Sequence, residues 1–322
     1  MDADYPGQHE RVVSPFLDVD PSFRAQVLRR SPDSQAWLED LPRLWTSLLR
    51  RWHLAPVGAA RYGGTSVVLP VEESASGRRA AVKLVSPAAS AADEAAALTA
   101  FHGQGAVRLF DVDVETPALL LEWLDGPSLS SAPNRSRAMR IAGEIAAQLA
   151  TAAAPPGSPR LADQASTWLA QLRHQHDAAQ RAGTAVPDAH FHLAAEIVSG
   201  LTEVSTGTPT HGDLSLLNIM RGDRGWVAVD PLLVTGSAAW EAHTVIRSHL
   251  PDIADADDPV ELSSRWIREF TDAAGLDHRE AGLLSFARFV ASYYWESQNQ
   301  GDTGTVEGLR RMATAIARAE LG

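Results

Sequence analysis

Residues 211–230 read HGDLSLLNIMRGDRGWVAVD. His211, Asp213 and Asn218 stand among leucine and isoleucine, a short gap follows, and Trp226–Val229 reads as a strand that stops at Asp230. A purely local use of these letters exists, because aspartates beside His211 and before Pro231 suit turn caps. The choice between turn caps and a reactive centre depends on the rest of the chain.

Composition restricts the possibilities first. A chain of 322 residues with 45% hydrophobic content is long enough for one large two-lobed unit or two domains with a real core. The net charge of −12 argues against nucleic-acid or anionic-membrane partners and suits a cationic small molecule. Cysteine is absent, which excludes disulfides, a thiol nucleophile and a sulfur-based zinc site. The opening MDADYPGQHERVVSPF lacks the apolar core of a secretory signal, and no apolar run is long enough to span a bilayer. A soluble cytoplasmic protein is expected.

Outward from the central stretch the texture divides in two. Residues 1–20, with Pro6, Gly7 and Pro15, read as a loose, flexible arm. Helical spacing then places Phe23, Val27 and Leu28 on one face, and Trp37, Leu41, Leu44, Trp45, Leu48 and Leu49 on another. SVVLPV, AAVKLV and the run GAVRLFDVDVETPALLLEWLDG contribute to a five-stranded sheet, with the alanine-rich helix SAADEAAALTAFHG inserted before the last two strands. Beyond Gly126 the chain is mainly helical: Arg135–Ala153, Leu161–Gln180, Asp188–Val198, and again from Ser237 to the end, with Pro251–Pro259 as an acidic loop. The expected class is α+β, with a β-rich lobe over 21–124 and a helical lobe over 125–322 that carries the central stretch.

Against this background His211, Asp213 and Asn218 match the catalytic-loop pattern H-R-D-L-x-x-x-N of kinases, with Gly212 in the arginine position. Phosphoryl transfer needs a group that orients or deprotonates the acceptor hydroxyl, which Asp213 supplies. It also needs hard oxygen ligands for Mg²⁺, which suit Asn218 and Asp230. Lys83, in AAVKLV, is the only lysine beside 27 arginines and has the strand setting in which a lysine reaches the α and β phosphates; a solvent-facing edge lysine is the plainer use. Glu94 is placed to pair with it. Adjacent helical residues point about 100° apart, and Glu94 rather than Asp93 shares a face with Ala97, Leu98 and Phe101. An acid in a first helical turn is also favoured by the helix dipole.

RYGGTS, with Gly64, Thr65 and Ser66, falls between two strands where a turn would cover phosphates, although an ordinary hairpin has the same letters. In LLLEWLDG the backbone groups of Glu122 and Leu124 would face an adenine, unless the segment is a plain connector. The P-loop, dinucleotide, G-x-S-x-G and H-E-x-x-H patterns are all missing. The pairs His174/His176 and His190/His192 read as solvated, because alternate helical residues diverge.

With these residues in view, the chain resembles the aminoglycoside phosphotransferase family, in its streptomycin 6-kinase and hydroxyurea phosphotransferase branch. Besides the catalytic loop, AWLEDLPRLW, GGTSVVLPV, GAVRLFDVD, LLLEWLDG, NIMRGDRGWVAVDP and ARFVASYYWE are similar to that branch in the same order. The resemblance implies a protein-kinase-like fold and ATP-dependent phosphorylation of a hydroxyl on a small-molecule antibiotic, with GTP as the alternative nucleotide. It also implies Asp213 as base, Asn218 and Asp230 as Mg²⁺ ligands, Lys83 on the phosphates and Glu94 beside it. Two departures stand out: Ser215 replaces a usual histidine, and LLVTGSAAWEAH replaces the usual acidic pattern after Asp230. Acidic and aromatic residues later in the chain, Glu241, Trp295, Glu296 and Asp302, are the expected acceptor contacts, while Tyr293 to Trp295 also suit a helical core. A kinase of another hydroxylated natural product or metabolite, and a nucleotide-binding pseudokinase, are the competing readings.

Overall fold

The computed structural model describes residues 19–201, 207–299 and 301–321, so the expected N-terminal arm lies almost wholly outside the described residues. The described residues form two compact units, one of those up to Ala92 together with Leu109–Trp123, the other of Asp93–Arg108 and those from Leu124 onward.

The first unit begins with helices α1 (Pro21–Arg30) and α2 (Ser34–Arg51). Asp20 starts α1 by accepting the amides of Ser22 and Phe23, and Pro21 occupies the first turn, where its missing N–H costs nothing. Strands β1 (Leu54–Pro56), β2 (Arg61–Tyr62), β3 (Ser66–Glu73) and β4 (Arg79–Val85) follow. After α3 (Ala91–Phe101), β5 (Leu109–Asp113) and β6 (Ala118–Glu122) complete an antiparallel sheet of order β1-β3-β4-β6-β5, with β2 on β3. The sequence suggests five strands; the two-residue β2 adds a sixth among the described residues.

Strand alternation then sorts the side chains. Val67, Leu69 and Val71, with Ala80, Val82, Leu84, Ala118 and Leu120, form one core with Phe23, Val27, Trp37, Leu41, Trp45 and Leu48 of α1 and α2. Lys83 has the opposite parity and projects from the other face of the sheet, in register with Val68 and Leu119.

In the second unit, residues 93–108 pack with the helical part of the chain rather than with the sheet assigned to them from sequence. Helices α4 (Arg135–Leu149), α5 (Leu161–Ala182) and α6 (Asp188–Gly200) precede the central stretch. Strands β7 (Pro209–Thr210), β8 (Ile219–Gly222), β9 (Gly225–Ala228) and β10 (Val234–Thr235) make two small pairs, β7 with β10 and β8 with β9. Helices α7 (Ala242–Arg247), α8 (Leu250–Ala254), α9 (Pro259–Ala274), α10 (His278–Gln298) and α11 (Thr303–Leu321) close the chain. Part of the expected acidic loop at 251–259 is therefore helical: Pro251 suits the first turn of α8, and Ile253 is fully buried. Among the described residues no helix is long and apolar enough to cross a membrane.

Helices α4 and α9 approach closely at Gly143, where a Cβ would lie 2.3 Å from the Phe270 carbonyl oxygen. Backbone cannot yield as a flexible side chain does, so Gly143→Ala should cost about 1–3 kcal/mol. Urea denaturation checks this, and an unchanged midpoint would contradict the close approach.

Candidate active site

The β8–β9 hairpin positions the polar residues of the central stretch. Ile219 pairs with Ala228, and the Val229 amide donates to the Asn218 carbonyl at 2.8 Å, so Asn218 and Asp230 leave the hairpin side by side. Flanking chain clamps both edges of the hairpin. On one side Ala228 accepts from the Val107 amide at 2.8 Å and donates to the Gly105 carbonyl at 2.7 Å; on the other Gly126 donates to the Arg221 carbonyl at 3.1 Å.

Just ahead of the hairpin, the backbone around Asp213 is fixed from three directions. Gly212 adopts φ +86°, a left-handed conformation natural to glycine, and a Cβ there would stand 3.0 Å from Leu232. This explains glycine in the arginine position of the kinase pattern. His211 is completely buried; its Nδ1 accepts the Asp213 amide at 3.3 Å, which leaves Nε2–H to donate to the Val229 carbonyl at 2.9 Å. The third support is Glu241. Its carboxylate accepts the Gly212 amide at 2.6 Å and the Leu214 amide at 3.1 Å, the two residues that flank Asp213.

Asp213 itself is exposed, and Asn218 Nδ2 donates to its carbonyl at 2.9 Å and to its carboxylate at 3.2 Å. Ser215, in place of the histidine of the related pattern, caps the short 3₁₀ turn Leu216–Asn218 by accepting the Asn218 amide at 3.3 Å. Asp230 is exposed and holds φ +60°. Non-glycine residues seldom adopt that conformation, Asp and Asn least reluctantly. The donor set suits Mg²⁺: the amide nitrogen of Asn218 is committed to Asp213, so its acceptor oxygen remains, and the Asp230 carboxylate adds hard oxygens.

The nucleotide-related residues divide between the units. Lys83 is almost fully buried on β4. Gly64 and Thr65 form the turn into β3, closed by the Gly63 amide on the Ser66 carbonyl at 2.9 Å, and Gln26 of α1 donates to the Gly64 carbonyl at 2.8 Å. Ser66 is buried, and Glu122 ends β6 opposite Ala80. In the second unit, Glu94 lies on the buried face of α3 with Ala97, Leu98 and Phe101, while Asp93 is exposed. Leu124 is buried and fills the space where a Cβ on Gly222 would be, 2.5 Å from its own Cδ2.

The four residues expected to touch an acceptor are not brought together. Glu241 is 1% exposed and engaged with backbone amides, as above, so it supports the loop instead of facing a ligand. Asp302 caps α11 by accepting the Thr305 amide at 3.0 Å, and the Thr305 hydroxyl, with that amide, holds its pKa below the ordinary aspartate value. Glu296 is ion-paired with Arg247 at 2.6 Å. Trp295 alone among the four lines a cavity of about 450 Å³, together with Trp168, Trp240 and Arg288. Tyr293 and Tyr294 are core residues. His176, expected to be solvated, is buried against Phe191 with ring centroids 3.8 Å apart, and its Nδ1 is 2.7 Å from the Tyr294 hydroxyl. Burial also raises that hydroxyl's pKa to about 12.

Arg288 was not singled out from sequence. It donates to the Trp240 carbonyl at 2.8 Å and to Thr244 Oγ1 at 2.9 Å. Burial lowers its pKa to about 10, against the opposing pull of Glu241 and Asp213. It therefore remains cationic at neutral pH and contributes positive potential beside the loop.

Residues 51–300 match the family model described as aminoglycoside/hydroxyurea antibiotic resistance kinase. The chain belongs to this family. A streptomycin 6-kinase of Streptomyces glaucescens is 31% identical over 89% of the chain and 93% of its own length. A hydroxyurea phosphotransferase of Kitasatospora aureofaciens is 32% identical over 89% of the chain and 80% of its own length. Solved structures share the fold of this antibiotic resistance kinase at low identity. An ethanolamine kinase of Plasmodium vivax superposes with a TM-score of 0.55 at 13% identity, covering 87% of this chain and 86% of that one. An aminoglycoside phosphotransferase in ternary complex with ADP and hygromycin B gives 0.52 at 13%, covering 86% and 98%. The fold is thus the protein-kinase-like one, and the chain is a small-molecule kinase.

Proposed function

We propose that this kinase transfers the γ-phosphoryl group of ATP to a hydroxyl of a small-molecule antibiotic, and that the modification inactivates the drug. The observation that carries the reading is the Asp213–Asn218 pair, held on a backbone pinned by His211 and Glu241 and opening to solvent at the carboxylate. An exposed carboxylate on a rigid loop can accept the proton of an incoming hydroxyl as the oxygen attacks phosphorus. Asn218 and Asp230 would hold Mg²⁺, which supplies neutralisation of phosphate charge. Lys83 would contact the α and β phosphates, and GTP is the alternative donor. The cytoplasm, where ATP is plentiful, is the proposed site of action.

A panel of hydroxylated antibiotics incubated with ATP and Mg²⁺ tests this reading. One or more should gain the mass of a phosphoryl group, and the gain should vanish in excess EDTA; turnover that persists in EDTA would remove the metal role.

Lys83→Met should weaken ATP binding by about tenfold to a hundredfold, the worth of a charge-assisted hydrogen bond. The buried stem would still fill its place on β4, and a thermal melt checks that the variant is folded. An unchanged KM for ATP would assign Lys83 a structural role.

A further inference from the structure

The short helix α7, six residues long, is bracketed by two side chains that both reach the catalytic loop. Glu241 immediately precedes it and holds the Gly212 and Leu214 amides at 2.6 Å and 3.1 Å. Ser248 immediately follows it, and its hydroxyl oxygen accepts the Leu216 amide at 3.0 Å, across 32 residues of sequence. Alternate amides of the loop are thus taken by side chains, as far as the Asn218 amide on Ser215 Oγ at 3.3 Å. The Asn218 amide also has a backbone acceptor, the Ser215 carbonyl at 3.0 Å, whereas the Leu216 amide has Ser248 alone among the described residues.

A serine in the last turn of a helix often bonds back to the preceding turn with no further consequence. Ser248 makes that bond, donating to the Thr244 carbonyl at 3.1 Å. Its one hydrogen is thereby committed, and the lone pairs of its oxygen remain for the Leu216 amide. Thr244 is fixed in turn, because its hydroxyl accepts from Arg288 of α10 at 2.9 Å, and the same guanidinium donates to the Trp240 carbonyl at 2.8 Å. Arg288 therefore ties to α10 both the turn that presents Glu241 and the helix that presents Ser248.

The two grips act on different parts of the loop. Glu241 holds the amides on either side of Asp213, whereas Leu216 opens the 3₁₀ turn that ends at Asn218. The Leu216 side chain is fully buried and anchors that turn at one point. A turn held at one point can still rotate about it; the contact at the amide is the second point. Resting on the kinase reading above, we infer that Ser248 is a positioning residue for the metal–nucleotide site, acting through the Leu216 amide on the orientation of Asn218. Outer contacts that orient a ligand change metal affinity or activity by about tenfold to a hundredfold when removed.

Mn²⁺ serves as the probe, titrated by electron paramagnetic resonance into the full chain with a non-hydrolysable ATP analogue. Ser248→Ala should bind the Mn²⁺–nucleotide complex about tenfold more weakly than the parent, while the analogue without metal should bind both alike. Ser248→Thr keeps the hydroxyl and should stay close to the parent. In turnover with Mg²⁺, the loss in the Ala variant should be largest at limiting metal and shrink as metal is raised. A serine with a merely structural role would lower the melting temperature and leave this metal dependence unmoved. Should the Ala variant not fold, Ser248→Cys, similar in size but a weak acceptor, replaces it in the same comparison. Equal Mn²⁺–nucleotide binding by parent and Ala variant, a Thr variant as weak as the Ala variant, or a rate lowered by one factor at every Mg²⁺ concentration overturns the inference and leaves the kinase reading intact. A parent protein that binds no Mn²⁺–nucleotide complex overturns the kinase reading, and the role of Ser248 with it.

Discussion

Asp213→Asn is expected to lower kcat by about 10²- to 10⁴-fold, the range for loss of a positioned general base. The substitution is nearly isosteric and keeps an oxygen to accept from Asn218 Nδ2, which is 3.2 Å from the present carboxylate. The loop supports act on backbone atoms of residues 211–214 and do not involve the replaced group. Nucleotide affinity and melting temperature should therefore stay near those of the parent protein while turnover falls. Steady-state kinetics with a phosphorylated acceptor, alongside thermal melts, give the check; equal loss in binding and turnover would point to a collapsed loop.

Glu241→Ala is the second large expected effect, and it acts through structure. The carboxylate is buried and accepts two amides, at 2.6 Å and 3.1 Å. Removing it orphans both donors at about 1–3 kcal/mol each, for an expected loss of about 2–6 kcal/mol. It also removes an anion that counters the Arg288 guanidinium. Turnover should fall together with stability, because the amides released are those on either side of Asp213. Glu241→Gln retains one accepting oxygen and should lose markedly less. Urea denaturation of the two variants measures the difference, and an Ala variant as stable as the parent would show that the loop is held by other means.

The contrast between these residues shows what a sequence can reveal. The hairpin around Asn218 and Asp230 was legible because its signals are local: apolar strands flanking a turn, with polar residues at their ends. The strand that carries Lys83 was legible for a similar reason, since its β-prone context is visible in the letters. Glu241 was misassigned as an acceptor contact because burial is a tertiary property. The partners of its carboxylate lie 27 and 29 residues earlier in the chain, and no periodicity announces them.

Asp302 is a different case, because a readable signal was present. An aspartate directly before Thr303, with a helix following, is an N-cap pattern, and the Thr305 amide completes it. The aromatic and cationic wall of Trp168, Trp240, Arg247 and Arg288 left no such trace. Those residues come from three helices and a 3₁₀ turn far apart in sequence, and only packing assembles them. His176 likewise looked solvated from helical divergence alone, but α6 and α10 supply Phe191 and Tyr294 to cover it.

The most direct test follows both products of the reaction at once. The purified chain, with ATP, Mg²⁺ and a panel of hydroxylated antibiotics, is sampled by mass spectrometry for phosphorylated acceptor and by coupled assay for ADP. The expected result is one acceptor that gains a single phosphoryl group in step with the ADP released. Release of ADP at the same rate with and without every acceptor, and no acceptor gaining mass, would contradict it.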